Sequence, residues 1–307
     1  MKNLEKNFVS AVVCLGAQPD YVAPFVTMLN GQLKEHFEKY EIICVNDACG
    51  ECAEAARHCA ETLDSVAPLT IINMSARQGT EPCMNAGIDA AIGDYIFEFD
   101  TTVMSFEPSL IFECYQKCLE GYDIVTAAPK TGMRFTSRLF YRLFNAHSAG
   151  AQLRTDVFHI LSRRALNRVH AINPNMPYRK AAYAASGLKL ATVEFEPLCA
   201  LPNGGEGRAD RAVEALALYT DAAYRISLVI SLLLLAFTVF SVIYTAAVFI
   251  SAKPVEGWTT TMLLLSAGFF GVFLLLTFVI RYLSLIVDLV FRNQKYLVES
   301  IEKIQHE

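Results

Sequence analysis

The sequence predicts an α/β domain with a doubly wound, mainly parallel sheet, followed by a pair of helices long enough to cross a membrane. Two patterns carry that reading. Up to Lys130, short continuous apolar runs alternate with helical segments, as in a parallel sheet covered on both faces. Further on, Ile226–Ile250 and Thr259–Ile280 run for 25 and 22 residues without a charge, where about 20 suffice to cross roughly 30 Å of hydrocarbon.

The elements follow in order. Phe8–Leu15 is the first strand, and strands at Ile42–Val45, Leu69–Met74, Tyr95–Phe99 and Asp123–Ala127 repeat the pattern. Helices are expected between them at Val22–Lys39, Cys52–Leu63, Pro82–Ala91 and Leu110–Leu119. Met1–Ala17 has the outline of a signal peptide, but Glu5 interrupts its basic start and the apolar run serves as a strand. Ligands of such sheets bind beyond the carboxyl ends of the strands, which singles out Asp47 after the second strand and Asp100 after the fourth. From Met133 to Arg168 the chain is basic and reads as helical, and a further polar α/β stretch runs to Pro197.

The expected organisation is therefore a domain over 1–200, then a linker and membrane-surface helix over 201–225. Spans at 226–250 and 259–280 flank an external turn at 251–258, and 281–307 forms a juxtamembrane segment and tail. Within the linker, one face of the helix Ala209–Arg225 either lies on lipid headgroups or is simply solvated. Arg208, Arg211 and Arg225 precede the spans and Arg281, Arg292 and Lys295 follow them, against Lys253 alone in the turn. Positive charge stays on the cytoplasmic side, so the α/β domain and the tail are expected there, at a membrane that reads as a bacterial inner membrane. The net charge of −5 says little about partners, but the lack of a basic stripe with interleaved aromatics sets a nucleic-acid partner aside. Neither span carries a charge, which argues against a transporter. Nine cysteines in a cytoplasmic domain are expected as thiols, and Cys49-Gly-Glu-Cys52 has no second pair with which to hold zinc.

This order of parts resembles the polyisoprenyl-phosphate glycosyltransferases of the family 2 type, with the GT-A fold, such as dolichyl-phosphate mannose synthases and bactoprenol glucosyltransferases. The resemblance runs from Val12 to Val298 through an ordered set of segments. They are EIICVNDACGE at Glu41–Glu51, NAGIDAAIGDYIFEFD at Asn85–Asp100, SRLFYRLFN at Ser137–Asn145, RTDVFHILSRRAL at Arg154–Leu166, GGEGR at Gly204–Arg208 and, after the spans, RNQKYLV at Arg292–Val298.

The resemblance implies an inverting transfer of a sugar from a UDP- or GDP-sugar to polyprenyl phosphate at the membrane surface, by a homo-oligomer, with Mg²⁺ or Mn²⁺ on the diphosphate. An ionised lipid phosphate needs little help from a general base, so catalysis would rest on positioning and on neutralising the leaving group. By the same resemblance Asp47 would contact the nucleotide base and Asp100 would be the first aspartate of the metal motif. Asp156 would be a carboxylate near the acceptor, and Arg77 stands in the nucleotide-binding loop. Arg208, in the place of a phosphate-binding lysine, would be joined by Arg134 and Arg138 on the acceptor phosphate. Structural alternatives stand beside these roles. Asp47 and Asp100 are placed to cap helices, Asp156 to pair with Arg154 or Arg163, and the arginines to meet anionic headgroups.

Several positions depart from the family pattern. The metal motif reads Asp100-Thr101-Thr102-Val103-Met104-Ser105, with Thr102 and Ser105 in place of carboxylates, and a neutral hydroxyl is a weaker ligand for a hard cation. Asn46 replaces the first aspartate of the turn after the second strand. Ala17-Gln18, Ala76-Arg77, Thr80 and Gly207 also differ from the expected residues. Two readings remain: an enzyme that handles its donor with a weakened metal site, or a catalytically silent relative that binds or assembles.

Overall fold

The computed structural model describes residues 4–16, 18–63, 68–130, 156–172, 178–199 and 296–304, with scattered helical positions between 229 and 286. Arg134, Arg138, Arg208, the helix expected at Ala209–Arg225 and most of the two apolar runs lie outside the described residues. Among the described residues no helix is long and apolar enough to cross a membrane. The chain divides into two units, Met1–Ala215 with Gln294–Glu307, and Leu216–Asn293.

In the first unit the elements are β1 (Val9–Leu15), α1 (Val22–His36), β2 (Tyr40–Asn46), α2 (Gly50–Thr62), β3 (Leu69–Met74), α3 (Thr80–Ala90), β4 (Tyr95–Phe99) and α4 (Ser109–Leu119). They continue with β5 (Ile124–Pro129), β6 (Phe158–Ser162), α5 (Arg163–Ile172), α6 (Arg179–Ala185), β7 (Leu190–Phe195) and β8 (Val298–Ile304). The strands form one sheet in the order β7-β5-β6-β4-β1-β2-β3-β8.

Alternation along β1 sets the layers, because successive side chains of a strand point to opposite faces. Val9, Ala11, Val13 and Leu15 pack with residues of α1, α2 and α4, whereas Val12 and Cys14 pack with residues of α3 and with Leu166 of α5. Every residue of β1 is buried, as the unbroken apolar run required. Two glycines of the Asn85–Asp100 segment allow the close approach of α3 and its turn. A Cβ on Gly87 would stand 2.3 Å from Val12 Cγ1, and one on Gly93 would stand 2.6 Å from the Ser10 amide nitrogen. Beneath that turn the buried Glu41 carboxylate accepts from the Ser10 hydroxyl and, at 2.9 Å, from the Ile92 amide. Cys49 and Cys52 serve the fold: Cys49 Sγ accepts from the Cys52 amide at the start of α2, and Cys52 Sγ donates to the Gly16 carbonyl at 2.9 Å.

The sheet is mainly parallel but mixed, because β6 and β8 run against the other strands. Strands β1–β4 pair in parallel and β5 runs parallel to β7, but β6 is antiparallel to both β4 and β5, and β8 is antiparallel to β3. Phe158–Ser162, expected within a basic helical stretch, is strand β6, and the helix begins only at Arg163. Its apolar residues lie between two long-separated strands, a pairing that flanking arginines conceal. Within the expected tail, Val298–Ile304 returns to close the sheet edge beyond β3. Its exposed Glu299 and Lys303 and partly exposed Glu302 suit an edge strand, where charge discourages pairing with another chain.

In the second unit the described positions are helical, and many apolar side chains there are exposed, Leu233 at 65% and Phe270 at 70% among them. Gly271 of the second apolar run lies so close to Leu234 of the first that a Cβ there would stand 2.3 Å from Leu234 Cδ2.

Candidate active site

The carboxyl end of β4 and the start of β6 meet because their antiparallel register sets Glu98 opposite His159 and Phe99 opposite Phe158. That register carries Asp100 and Asp156 to the same end of the sheet. Aromatic packing fixes both backbones: the rings of Phe99 and Phe158 lie 5.2 Å apart and those of Phe106 and Phe158 4.8 Å apart. Fully burying each such ring stabilises by about 1.5–3 kcal/mol, so neither strand end moves freely.

Four carboxylates then surround two cations at the head of α6. Arg179, 1% exposed, donates Nε to Glu81 at 2.9 Å, Nη1 to Glu98 and Nη2 to Asp100 at 2.6 Å. Its neighbour Lys180 places one ammonium between Asp100 Oδ2, at 3.0 Å, and Asp156 Oδ1. The second oxygen of Asp156 meets His159 Nε2 at 2.6 Å. Glu98 also accepts from the Tyr183 hydroxyl at 2.7 Å. His159 Nδ1 is buried and has no hydrogen-bond partner among the described residues. The cluster has two levels: Arg179 and Glu98 are enclosed, whereas the side chains of Lys180 and Asp100 keep 15% and 19% of their surface open.

The electrostatics follow from this arrangement. Burial pushes the Asp100 carboxyl up, but Lys180, Arg179 and His159 outweigh it and hold the group well below the usual carboxylate range. Burial and the same kind of opposition leave Asp156 lowered as well, through His159 and Lys180. Glu98, where burial outweighs Arg179, is raised. Burial works against the charge of Arg179 and Lys180, yet the facing carboxylates keep both protonated far above their ordinary range.

A divalent cation on Asp100 is what the resemblance implies, and the residues present do not fit one. Both Asp100 oxygens are already engaged by Arg179 and Lys180. Thr102 is 2% exposed and Ser105 wholly buried, so the positions that replace the motif's other carboxylates are packed inward. Among the described residues no group of three or more His, Cys, Asp or Glu is placed to hold a metal.

The other residues expected at the site divide. Asp47 spends its carboxylate on the loop before α3, accepting from the Gln78 amide at 2.6 Å and the Gly79 amide at 3.0 Å. Asp47 thus ties down the loop leading into α3 and caps neither α2 nor the first turn of α3. Arg77 lies exposed in the same loop. Asp156 pairs with Lys180 and His159, not with Arg163, which holds the carbonyls of Gly93 and Ala91. Asn46 has a structural reason to be an amide: its Nδ2 donates to Asn73 Oδ1 at 3.1 Å, and Asn73 Nδ2 donates onward to Ser300 and Glu302 of β8. Sequence reasoning missed Arg179, Lys180, Glu81, Glu98, His159 and Tyr183. One signal was available, since Glu98 interrupts an otherwise apolar strand and a buried charge demands a partner.

No protein-family model matches the chain. It is 29% identical over 164 residues to an uncharacterised glycosyltransferase of Synechocystis sp., covering 51% of each chain. A second uncharacterised glycosyltransferase, of Bacillus subtilis, is 26% identical over 165 residues, covering 52% of this chain and 50% of that one. The chain thus spans about half the length of the curated relatives it matches. Among solved structures, the mannosyltransferase of Pyrobaculum calidifontis in complex with GDP-mannose and Mn²⁺ aligns with a TM-score of 0.54 at 13% identity, covering 94% of this chain and 89% of that one. The glucosyl-3-phosphoglycerate synthase of Mycobacterium tuberculosis with UDP-glucose and Mn²⁺ aligns at 0.50 and 13% identity over 69% of this chain and 77% of that one. The eight-stranded mixed sheet is therefore that of the GT-A glycosyltransferases.

Proposed function

We propose that the chain is a membrane-anchored inverting glycosyltransferase that moves a sugar from a nucleotide-sugar donor to polyprenyl phosphate. The observation that carries the reading is the convergence of Asp100 and Asp156 on one ammonium at the carboxyl edge of a GT-A sheet. That edge is where ligands of open α/β sheets bind. The two curated glycosyltransferases support the reaction class.

In this reading a phosphate oxygen of the lipid attacks the anomeric carbon from the face opposite the nucleotide. The bond from that carbon to the diphosphate breaks, and the nucleoside diphosphate leaves with the electron pair. No proton has to be removed from an acceptor already ionised, so the chain's task is alignment and charge stabilisation. Arg179 fixes Asp100, Lys180 joins Asp100 to Asp156, and Asp47 shapes the loop between β3 and α3.

Three features support anchoring by the 226–280 segment. Its two apolar runs are long enough to span. Many of its described side chains are apolar and exposed, and the Gly271–Leu234 approach is the small-residue contact by which membrane helices pack. Strand β8 adds a topological argument: a chain that leaves the α/β unit and re-enters its sheet makes an even number of crossings.

The test is turnover. Full-length protein reconstituted in vesicles with polyprenyl phosphate is given radiolabelled UDP- and GDP-sugars, and lipid-extractable label is measured. Label should appear with one donor class and fall about a hundredfold or more in Asp100→Asn and in Asp156→Asn. Equal turnover in both variants would exclude these carboxylates from the chemistry. A catalytically silent subunit is the second reading, favoured by the inward-packed Thr102 and Ser105; it predicts no transfer and co-purification with an active glycosyltransferase.

A further inference from the structure

We propose that Lys180 takes the place of the divalent cation in this site, so that the donor's diphosphate is met by a resident ammonium and binds without metal. The inference rests on the donor-site reading above and deepens it.

The geometry points to it from several sides. Lys180 Nζ lies 3.0 Å from Asp100 Oδ2 and in contact with Asp156 Oδ1. A single positive centre thus bridges the aspartate that the motif retains and a carboxylate from another strand, as a bound cation would. The positions that would complete a metal site have lost their charge and are buried, Thr102 at 2% and Ser105 at 0% exposure. A metal and this ammonium would compete for the same Asp100 oxygen.

The donor inventory leaves room for a ligand. An ammonium has three N–H groups and no acceptor; two of them face Asp100 and Asp156, and the third is uncommitted among the described residues. The Lys180 side chain is 15% exposed and that of Asp100 19%, so this rim opens to solvent. Beneath it Arg179 is 1% exposed and bound to Glu81, Glu98 and Asp100. The lower level holds the rim in place, and the rim presents the charge. The Lys180 side chain keeps 15% of its surface open, where a purely structural pair could be fully enclosed like Arg179.

An ammonium supplies less charge than Mg²⁺ or Mn²⁺ and forms directional hydrogen bonds, yet it needs no loading step and cannot be stripped by a chelator. The departure at Asp100-Thr101-Thr102 then accompanies a change of cation, and a loss of function need not follow.

The test is thermal unfolding of the purified full chain with UDP and, separately, with GDP, each in EDTA and in Mn²⁺. At least one nucleotide should raise the melting temperature equally in EDTA and in Mn²⁺. Lys180→Met should bind that nucleotide about tenfold or more weakly in EDTA. Mn²⁺ should restore its binding, because the vacated Asp100–Asp156 pair offers hard oxygen ligands. Lys180→Arg should retain binding in EDTA, since it keeps the charge. A wild-type shift that disappears in EDTA and returns with Mn²⁺ would overturn the role of Lys180 while leaving the donor site intact. An unaltered shift for Lys180→Met in EDTA would also overturn it. If Lys180→Met does not fold, the wild-type comparison and Lys180→Arg decide. Failure of both nucleotides to shift the wild type in either condition would overturn the donor-site reading itself.

Discussion

On the β2–β3–β8 side of the sheet, neutral groups join the strand ends. Asn46 donates to Asn73, Asn73 donates to Ser300 and Glu302, and the one carboxylate in the turn, Asp47, is satisfied by backbone amides. On the β4–β6 side, charges join them: two cations from α6 hold four carboxylates from α3, β4 and the start of β6. Both arrangements satisfy polar groups, but their energetics differ. The ladder's one carboxylate, Glu302, keeps a third of its side chain exposed and is little desolvated, and the ladder serves to attach β8. The charged cluster costs desolvation at every member and repays it only while complete.

The largest effect expected from this contrast is at Arg179. Arg179→Ala leaves Glu81, Glu98 and Asp100 without their shared partner and should destabilise the chain by about 3–5 kcal/mol in urea unfolding. A loss below about 1 kcal/mol would mean that the cluster adds little to the fold.

The neutral side is tested by placing at position 46 the aspartate that the resemblance leads one to expect. Asn46→Asp removes the donor to Asn73 and sets a carboxylate against its carbonyl oxygen, so stability should fall by about 1–3 kcal/mol. An unchanged midpoint would show that Asn46 is no part of the ladder.

Acid should act chiefly on the charged side. Asp100 and Asp156 are held below the ordinary carboxylate range in the folded chain. A depressed carboxylate contributes stability that is complete above its unfolded value, near pH 4, and lost as pH falls through the folded value. Glu98 is raised and has the opposite sign, its contribution lost as pH rises through its folded value. The acid limb below about pH 4 should therefore be shallower in Asp156→Asn than in wild type when followed by circular dichroism. Parallel limbs in the two proteins would contradict it.

The smallest effect belongs to the partly exposed pair that ties β8 to α2. Arg57 grips Glu302 through Nε at 2.7 Å and Nη2 at 2.8 Å, with side chains 41% and 33% exposed. Solvent screens such a pair, so Glu302→Gln should cost about 0.5–1 kcal/mol, also in urea unfolding. A cost as large as that at Arg179 would erase the distinction between the two sides.

The two sides also differed in how far the sequence disclosed them. The parallel core was legible because β1 to β4 are mainly apolar runs, each ended by turn-forming residues, and Asp47 and Asp100 stand at those ends. Strand β8 was not legible: Val298–Ile304 carries Glu299, Glu302 and Lys303, and only its pairing with β3 makes it a strand. Strand β6 was hidden by the arginines around it. In the charged cluster, Asp100 was marked by its strand end as well as by the family resemblance, and Asp156 by the resemblance alone. Their partners Arg179 and Lys180 open a short alanine-rich helix about which the local sequence says nothing. Long-range ion pairing leaves no periodic trace, and a fully buried charge out of pattern, Glu98 within β4, marked the need for a cation without naming it.

The most direct test of the charged side as the donor site is equilibrium binding of UDP- and GDP-sugars to the purified full chain and to Asp100→Asn. The expected result is binding of one donor class by the wild type and a loss of about tenfold or more in the variant. Equal affinity in the two proteins, or no binding by the wild type, would contradict it.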